Sequence, residues 1–336
     1  MSSLRSKLAL NSIQTVSGLL KTENLGIVLP HEHVICDYRL CKSFQNYTSP
    51  PWGSYMHLDD PEIMAQELRI FRENGGGCVV DVTCNGWGRD PLALKEVSNR
   101  SGVQIVSCTG FYVEDCMPQW VSKSSVEKLS EWIVREIKVG CYVKQGNIIS
   151  DVKAGIIKTS FSRPIFSGNE LKGLKAVVLA HHETGAPITT HNSGSIRFEL
   201  KGGNIGLQLL DVLEAEDVEP DSVIIGHTDE NPDQRNLTEI LERGSWVQFD
   251  TIGKENYILD ETRAELLNRL RENGFTDRIL ISQDRNRKPM LSYYGGPGYS
   301  DIILRFIPML MEKGFNETEI RKLMVVNPLK ALTMKE

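Results

Sequence analysis

The sequence predicts an α/β fold, a (β/α)₈ barrel, and three observations carry that reading. Short apolar runs alternate with longer amphipathic segments about eight times, which favours a parallel sheet with helices outside. Start and stop residues punctuate the helical segments. The turn after the first buried run reads LPHEHVICD, without the glycine-rich phosphate loop that a doubly wound open sheet would place there. The Gly75-Gly76-Gly77 run precedes a strand instead of following one. With 336 residues and no composition break, positions 1–336 are expected to form one barrel domain with a long first βα loop at about 36–58.

Strands are expected at 25–33, 77–83, 103–109, 152–158, 186–191, 222–227, 246–251 and 278–284. Helices are expected at 61–74, 90–101, 125–139, 169–184, 204–216, 236–243, 260–273 and 299–313. Asp60-Pro61 and Asp90-Pro91 read as caps followed by first-turn prolines. Gly75, Gly185, Gly244, Gly274 and Gly314 fall just past helix ends, where a left-handed residue is wanted. On a barrel the first loop, with Phe44, Tyr47, Trp52 and Tyr55, lies over the ligand-binding face and supplies lid candidates.

The formal net charge of −6 is well mixed, which argues against a nucleic-acid partner but not against a small anionic substrate. No apolar run suits a signal peptide or a membrane span. Seven cysteines, all in the first half and without a Cys-x-x-Cys pair, read as reduced thiols of a cytoplasmic protein.

Chemistry enters with His31-Glu32-His33. At a strand end, residues two apart share a face, so both imidazoles can point inward while Glu32 points away. Such a pair can hold a divalent metal, although an ordinary packed pair fits a lone His-x-His as well. His191 ends the fifth strand, His227 the sixth and Asp284 the eighth, each the first strongly polar residue after an apolar or β-branched run. Lys158 closes the fourth strand, in KAGIIK. A buried ammonium beside cations has a lowered pKa, and a neutral amine can take up carbon dioxide as an anionic carbamate that bridges two metals. Without those neighbours, a lysine reaching to solvent is the simpler account. His57, His181 and His182 are assigned to structure or solvent.

These residues, in this order on these strands, resemble the phosphotriesterase family of the amidohydrolase superfamily. The resemblance runs from about Leu25 to Pro328 through LGIVLPHEH, KAGIIK, GHTDE and FIPMLMEKGF. It implies a binuclear centre, with His31 and His33 on one divalent ion and His191 and His227 on the other. A hydroxide and carbamylated Lys158 would bridge the ions, and Asp284 would sit on the first. The ions are expected to be zinc, with manganese or cobalt as alternatives. VQFDTIGKENY and SYYGGPGYSDIILRFIP are similar to a branch containing phosphotriesterase homology proteins and phospho-sugar lactonases. In that branch the positions of Lys254 and Arg287 bind a distal phosphate, and Gly295–Gly298 would open a helix beside it. The alternative reading of Arg285, Arg287 and Lys288 is a solvated run.

The function expected is therefore hydrolysis of an ester, foremost a phosphorylated sugar lactone, by a cytoplasmic enzyme that could form a homodimer. Asp284 is expected to move the proton. An organophosphate triesterase, an arylesterase or an amide hydrolase could use the same metals. A rival of another class is a catalytically silent ligand-binding barrel.

Overall fold

A computed structural model describes residues 12–23, 25–44, 52–143, 148–162, 168–192, 205–231 and 233–335. Eight parallel strands follow one another around a barrel: β3 (Ile27–Glu32), β6 (Gly76–Asp81), β7 (Gln104–Gly110), β8 (Ile156–Phe161), β9 (Ile188–Asn192), β10 (Val223–Ile225), β11 (Trp246–Phe249) and β12 (Ile279–Ile281). Their residues are buried on both faces, one set filling the barrel and the other meeting the helices. The ring closes between its first and last strands by two contacts through the Ser282 hydroxyl and one bond between backbone groups. His31 N donates to Ser282 Oγ at 3.1 Å, Ser282 Oγ lies 2.9 Å from His31 O, and Asp284 N donates to His31 O at 3.2 Å. Glu32 reinforces the seam by accepting from Ser282 Oγ, Gln283 N and Arg285 N.

The helix punctuation is realised. Asp60 accepts from Glu62 N and Ile63 N, and Asp90 from Leu92 N and Ala93 N. Gly75, Gly185, Gly244, Gly274 and Gly314 all have positive φ. The eighth helix departs from its expected start. It opens as a π-turn, Ile302–Phe306, before the α-helix Ile307–Glu312, because Pro308 has no N–H for the regular ladder. Its entrance is also taken: Ile302 N donates to Gln283 Oε1 at 3.2 Å, so the Gly295–Gly298 turn does not present a free helix start.

Two features were not anticipated. An antiparallel hairpin, β1 (Ser12–Thr15) with β2 (Gly18–Lys21), packs beside the start of β7, where Val16 N donates to Ile105 O at 2.8 Å. It therefore covers the end of the barrel opposite the C-terminal mouth. A short pair, β4 (Cys36–Asp37) with β5 (His57–Leu58), brackets the first βα loop. Within that loop, positions 45–51, including Tyr47, lie outside the described residues, as does Asn204.

The expectation of seven reduced thiols is corrected for two of them. Cys41 and Cys116 are joined in a disulfide, while Cys36, Cys78, Cys84, Cys108 and Cys141 are free and buried. The bond ties the first βα loop to the segment after β7, the strand next but one to β3 in the sheet. Among the described residues, no helix is long and apolar enough to cross a membrane.

Candidate metal centre

Side chains from β3, β8, β9 and the segments after β10 and β12 converge at the C-terminal mouth. His31 and His33 lie on the same side of β3, with ring centroids 6.1 Å apart, and Glu32 turns into the seam with β12. Lys158 sits within β8, which runs on to Phe161, and is 1% exposed. Its Nζ lies 3.2 Å from His31 Nε2. Gly110, at φ +97°, lets β7 approach here, since a Cβ would meet Lys158 O at 2.1 Å. His227 Nε2 and His191 Nδ1 are 2.5 Å apart, and His33 Nε2 is 3.0 Å from Asp284 Oδ1.

Two of these residues hold left-handed backbone, His227 at φ 53° and Asp284 at φ 50°. Such conformations persist where surroundings over-determine them. His227 N donates to both Asp250 oxygens at 3.0 and 3.1 Å, and the seam bond from Asp284 N fixes the second.

Asp250 was missed in the sequence. It is fully buried at the end of β11, with Oδ2 2.8 Å from His31 Nδ1 and Oδ1 2.6 Å from His227 Nδ1. Each imidazole thus has its Nδ1 against a carboxylate oxygen and its Nε2 turned into the mouth, the arrangement of carboxylate–histidine–metal triads. Gln248 Oε1 at 3.0 Å from His31 Nδ1 and Thr83 Oγ1 at 2.7 Å from His33 Nδ1 orient the rings further. Behind the rings runs an aromatic wall. Trp87 packs on His33 at 4.3 Å and stacks on Tyr112 at 4.4 Å, and Tyr112 Oη lies 3.3 Å from His191 Nε2.

The donor chemistry suits divalent cations. The ligand atoms of His31, His33 and Asp284 lie within 4.8 Å of one another, as do those of His31, His227 and Asp250. Burial lowers His31 to about 4, and the Lys158 charge adds to the shift. Burial also lowers His33, and burial with the neighbouring His227 takes His191 well below its ordinary value. Burial alone would lower His227 too, but Asp250 outweighs it and raises that imidazole to about 9. Burial lowers Lys158. Asp284 stays well below the usual carboxylate range despite burial, because Lys254 and His33 favour its anion.

These shifts fix a pH dependence. A histidine with a depressed folded pKa stabilises the fold above its unfolded value of about 6.5 and loses that contribution as pH falls. His31, His33 and His191 act this way, and together they outweigh Glu32, which burial raises to about 7 and which contributes with the opposite sign in that range. His227, raised instead, is protonated in both states below about 6.5 and adds no slope there. The chelator-treated protein should therefore melt at progressively lower temperature between pH 7 and pH 5. A Tm that holds or rises across that window contradicts the assignment.

The substrate candidates fare differently. Lys254 is 5% exposed and pairs with Asp284 Oδ2 instead of standing free on its loop. Arg287 is half-buried with its guanidinium 5.7 Å above the Tyr38 ring, and it has no carboxylate partner among the described residues. The run around it is not simply solvated. Arg285 is 1% exposed and bonded to Gln283 and Asp301, while Lys288 Nζ lies 2.7 Å from His57 Nε2. His181 and His182 reach the carbonyls of Ala186 and Glu216, as a structural role requires.

Residues 11–332 match the sequence pattern of the phosphotriesterase family. The chain belongs to that family. It is accordingly a hydrolase. Among phosphotriesterase-family relatives, the phosphotriesterase homology protein of Escherichia coli (strain K12) is 33% identical over 304 residues, 90% of this chain and 96% of its own. The human N-acetyltaurine hydrolase is 30% identical across the full length of both chains. A lactonase from Listeria monocytogenes superposes with a TM-score of 0.84 at 28% identity, covering 97% of this chain and all of its own.

Proposed function

We propose that this phosphotriesterase-family chain hydrolyses carboxylic esters, foremost lactones with a distal anionic group, at a pair of divalent cations. The observation that carries the reading is the inward turn of the imidazoles around Lys158 and Asp284 at one barrel mouth. His31, His33 and Asp284 would hold one cation, and His191 and His227 the other. Carbamylated Lys158 would supply the shared anionic ligand. Zinc is the first choice for this nitrogen and oxygen set, and manganese or cobalt would also suit it. Such a pair, when bound, lowers the pKa of a water toward neutrality and polarises the ester carbonyl.

The chain's own residues do the rest. Asp284 takes the proton of the attacking water as the oxygen–carbonyl bond forms, then returns it to the alkoxide as the ring C–O bond breaks. Ring opening leaves that alkoxide tethered, so no second product pocket is needed. The aromatic wall of Trp87 and Tyr112 keeps the rear of the mouth dry. Arg287, planar and supported by Tyr38, meets the distal anion in bidentate fashion. Lys254 can serve that anion only when released from Asp284.

Arg287→Met should raise KM for phosphorylated lactones about 10–100-fold, the worth of a charge-assisted hydrogen bond, and leave neutral lactones within about twofold. Equal losses on both would remove Arg287 from anion recognition. A second reading is an N-acyl amide with an anionic end, favoured by the human relative that is an N-acetyltaurine hydrolase. A sulfonate offers Arg287 the same oxygens as a phosphate. The deciding experiment compares kcat/KM on phosphorylated and free aldonolactones, aryl phosphotriesters and N-acetyltaurine. Lactones leading by about 100-fold (about 2.7 kcal/mol) uphold the proposal. N-acetyltaurine leading transfers it to the amide. No turnover, with less than one divalent ion per chain, leaves the silent binding barrel.

A further inference from the structure

We infer that Arg263, on the helix Asp260–Glu272 outside the barrel, is a positioning residue for the metal centre, acting through Asp229 and Asp250. The inference rests on the metal-binding part of the proposed function. Arg263 is 1% exposed and every arm of its guanidinium is used. Nε donates to Asp229 Oδ2 at 2.7 Å, Nη1 to Asp260 Oδ1 at 2.8 Å and to Ile258 O at 2.5 Å, and Nη2 to Thr251 Oγ1 at 2.8 Å. Asp229 then accepts from two consecutive amides at the end of β11, Asp250 N at 3.2 Å and Thr251 N at 3.1 Å.

This makes a chain of fixed links. The guanidinium fork sets Asp229, Asp229 sets the peptides that aim the Asp250 side chain, and Asp250 holds the Nδ1 atoms of His31 and His227. Asp250 is the one side chain that holds both imidazoles with their Nε2 atoms turned inward, and Gln248 adds a second hold on His31 alone. The planar fork is what the geometry uses. A lysine could neutralise one carboxylate but could not reach Asp229, Asp260 and Thr251 together.

A buried arginine elsewhere separates this role from general stability. Arg89 forks onto Glu136 with both side chains fully buried, and none of its partners is bonded to a site imidazole. The experiment measures zinc dissociation constants by chelator competition on folded Arg263→Met, Arg263→Lys and Arg89→Met, with Tm recorded for each. Arg263→Met should weaken zinc binding about 10–100-fold, the cost typical of losing an outer partner of a metal ligand. Arg263→Lys should fall between that variant and the parent, about 5–10-fold weaker, and it decides the matter if the methionine variant does not fold. Arg89→Met should lose Tm yet keep the parental constant within about twofold. Parental zinc affinity in the Arg263 variants, or an equal loss in Arg89→Met, overturns the inference and leaves the metal reading standing. A parent chain that binds no zinc, manganese or cobalt overturns both.

Discussion

Asp284→Asn is expected to fold normally and to lose about 10³-fold in kcat on lactones, the usual yield of a placed proton-transfer group. The fold should survive because Asn is nearly isosteric and, like Asp, tolerates the left-handed backbone that residue 284 adopts at φ 50°. Its neighbours can also accommodate the change, since Asn286 Nδ2 lies 3.1 Å from both Asp284 oxygens and can bond the remaining carbonyl. What the amide cannot do is receive a proton. It also removes the anion that Lys254 and His33 share in a pocket where Asp284 is only 7% exposed. The loss should appear in kcat more than in KM, because the proton moves after substrate has docked. Lactone turnover at the parental rate by a folded Asp284→Asn would end the proton role.

The barrel was legible because burial on both faces writes each strand as a run free of charged and imidazole side chains, which ends at the first such residue. That stop marks His191, His227 and Asp284. Applied to β11, in WVQFD, it also marks Asp250, so the signal for the missed residue was present. What the sequence could not supply was direction. Asp250 turns back to two Nδ1 atoms contributed by residues 219 and 23 positions away, and no local pattern encodes such a meeting.

The same limit explains the remaining departures. The run Arg285-Asn286-Arg287-Lys288 reads as one solvated cluster. Yet Arg285 is buried against Asp301, Arg287 lies over Tyr38 and Lys288 meets His57. Three destinations arise because each side chain leaves the strand end toward a different loop. Cys41 and Cys116 are 75 positions apart, and their pairing follows from the strand order that sets β3 and β7 on either side of β6, which no local pattern encodes. The hairpin β1/β2 escaped because four residues per strand are too few for alternation to stand out.

Lys158→Ala should lose metal and activity together, with kcat/KM down by about 10³-fold or more and less than full divalent occupancy. The reason lies in an electrostatic conflict that carbamylation would resolve. Burial lowers the pKa of Lys158, whose Nζ stands among imidazoles and 3.2 Å from His31 Nε2. A protonated amine there would repel divalent cations. A neutral Nζ can attack carbon dioxide, forming an N–C bond and releasing a proton, and the resulting carbamate turns a repelled cation into an anionic ligand with two oxygens. Alanine removes the tether but leaves a space shaped for a short carboxylate among residues that are otherwise closely packed. Formate or acetate at high concentration should therefore restore part of both metal content and rate, and it should do neither for Asp284→Asn. Full metal occupancy in Lys158→Ala, or rescue by neutral amides as effective as rescue by carboxylates, would show that the bridge is not made by this lysine.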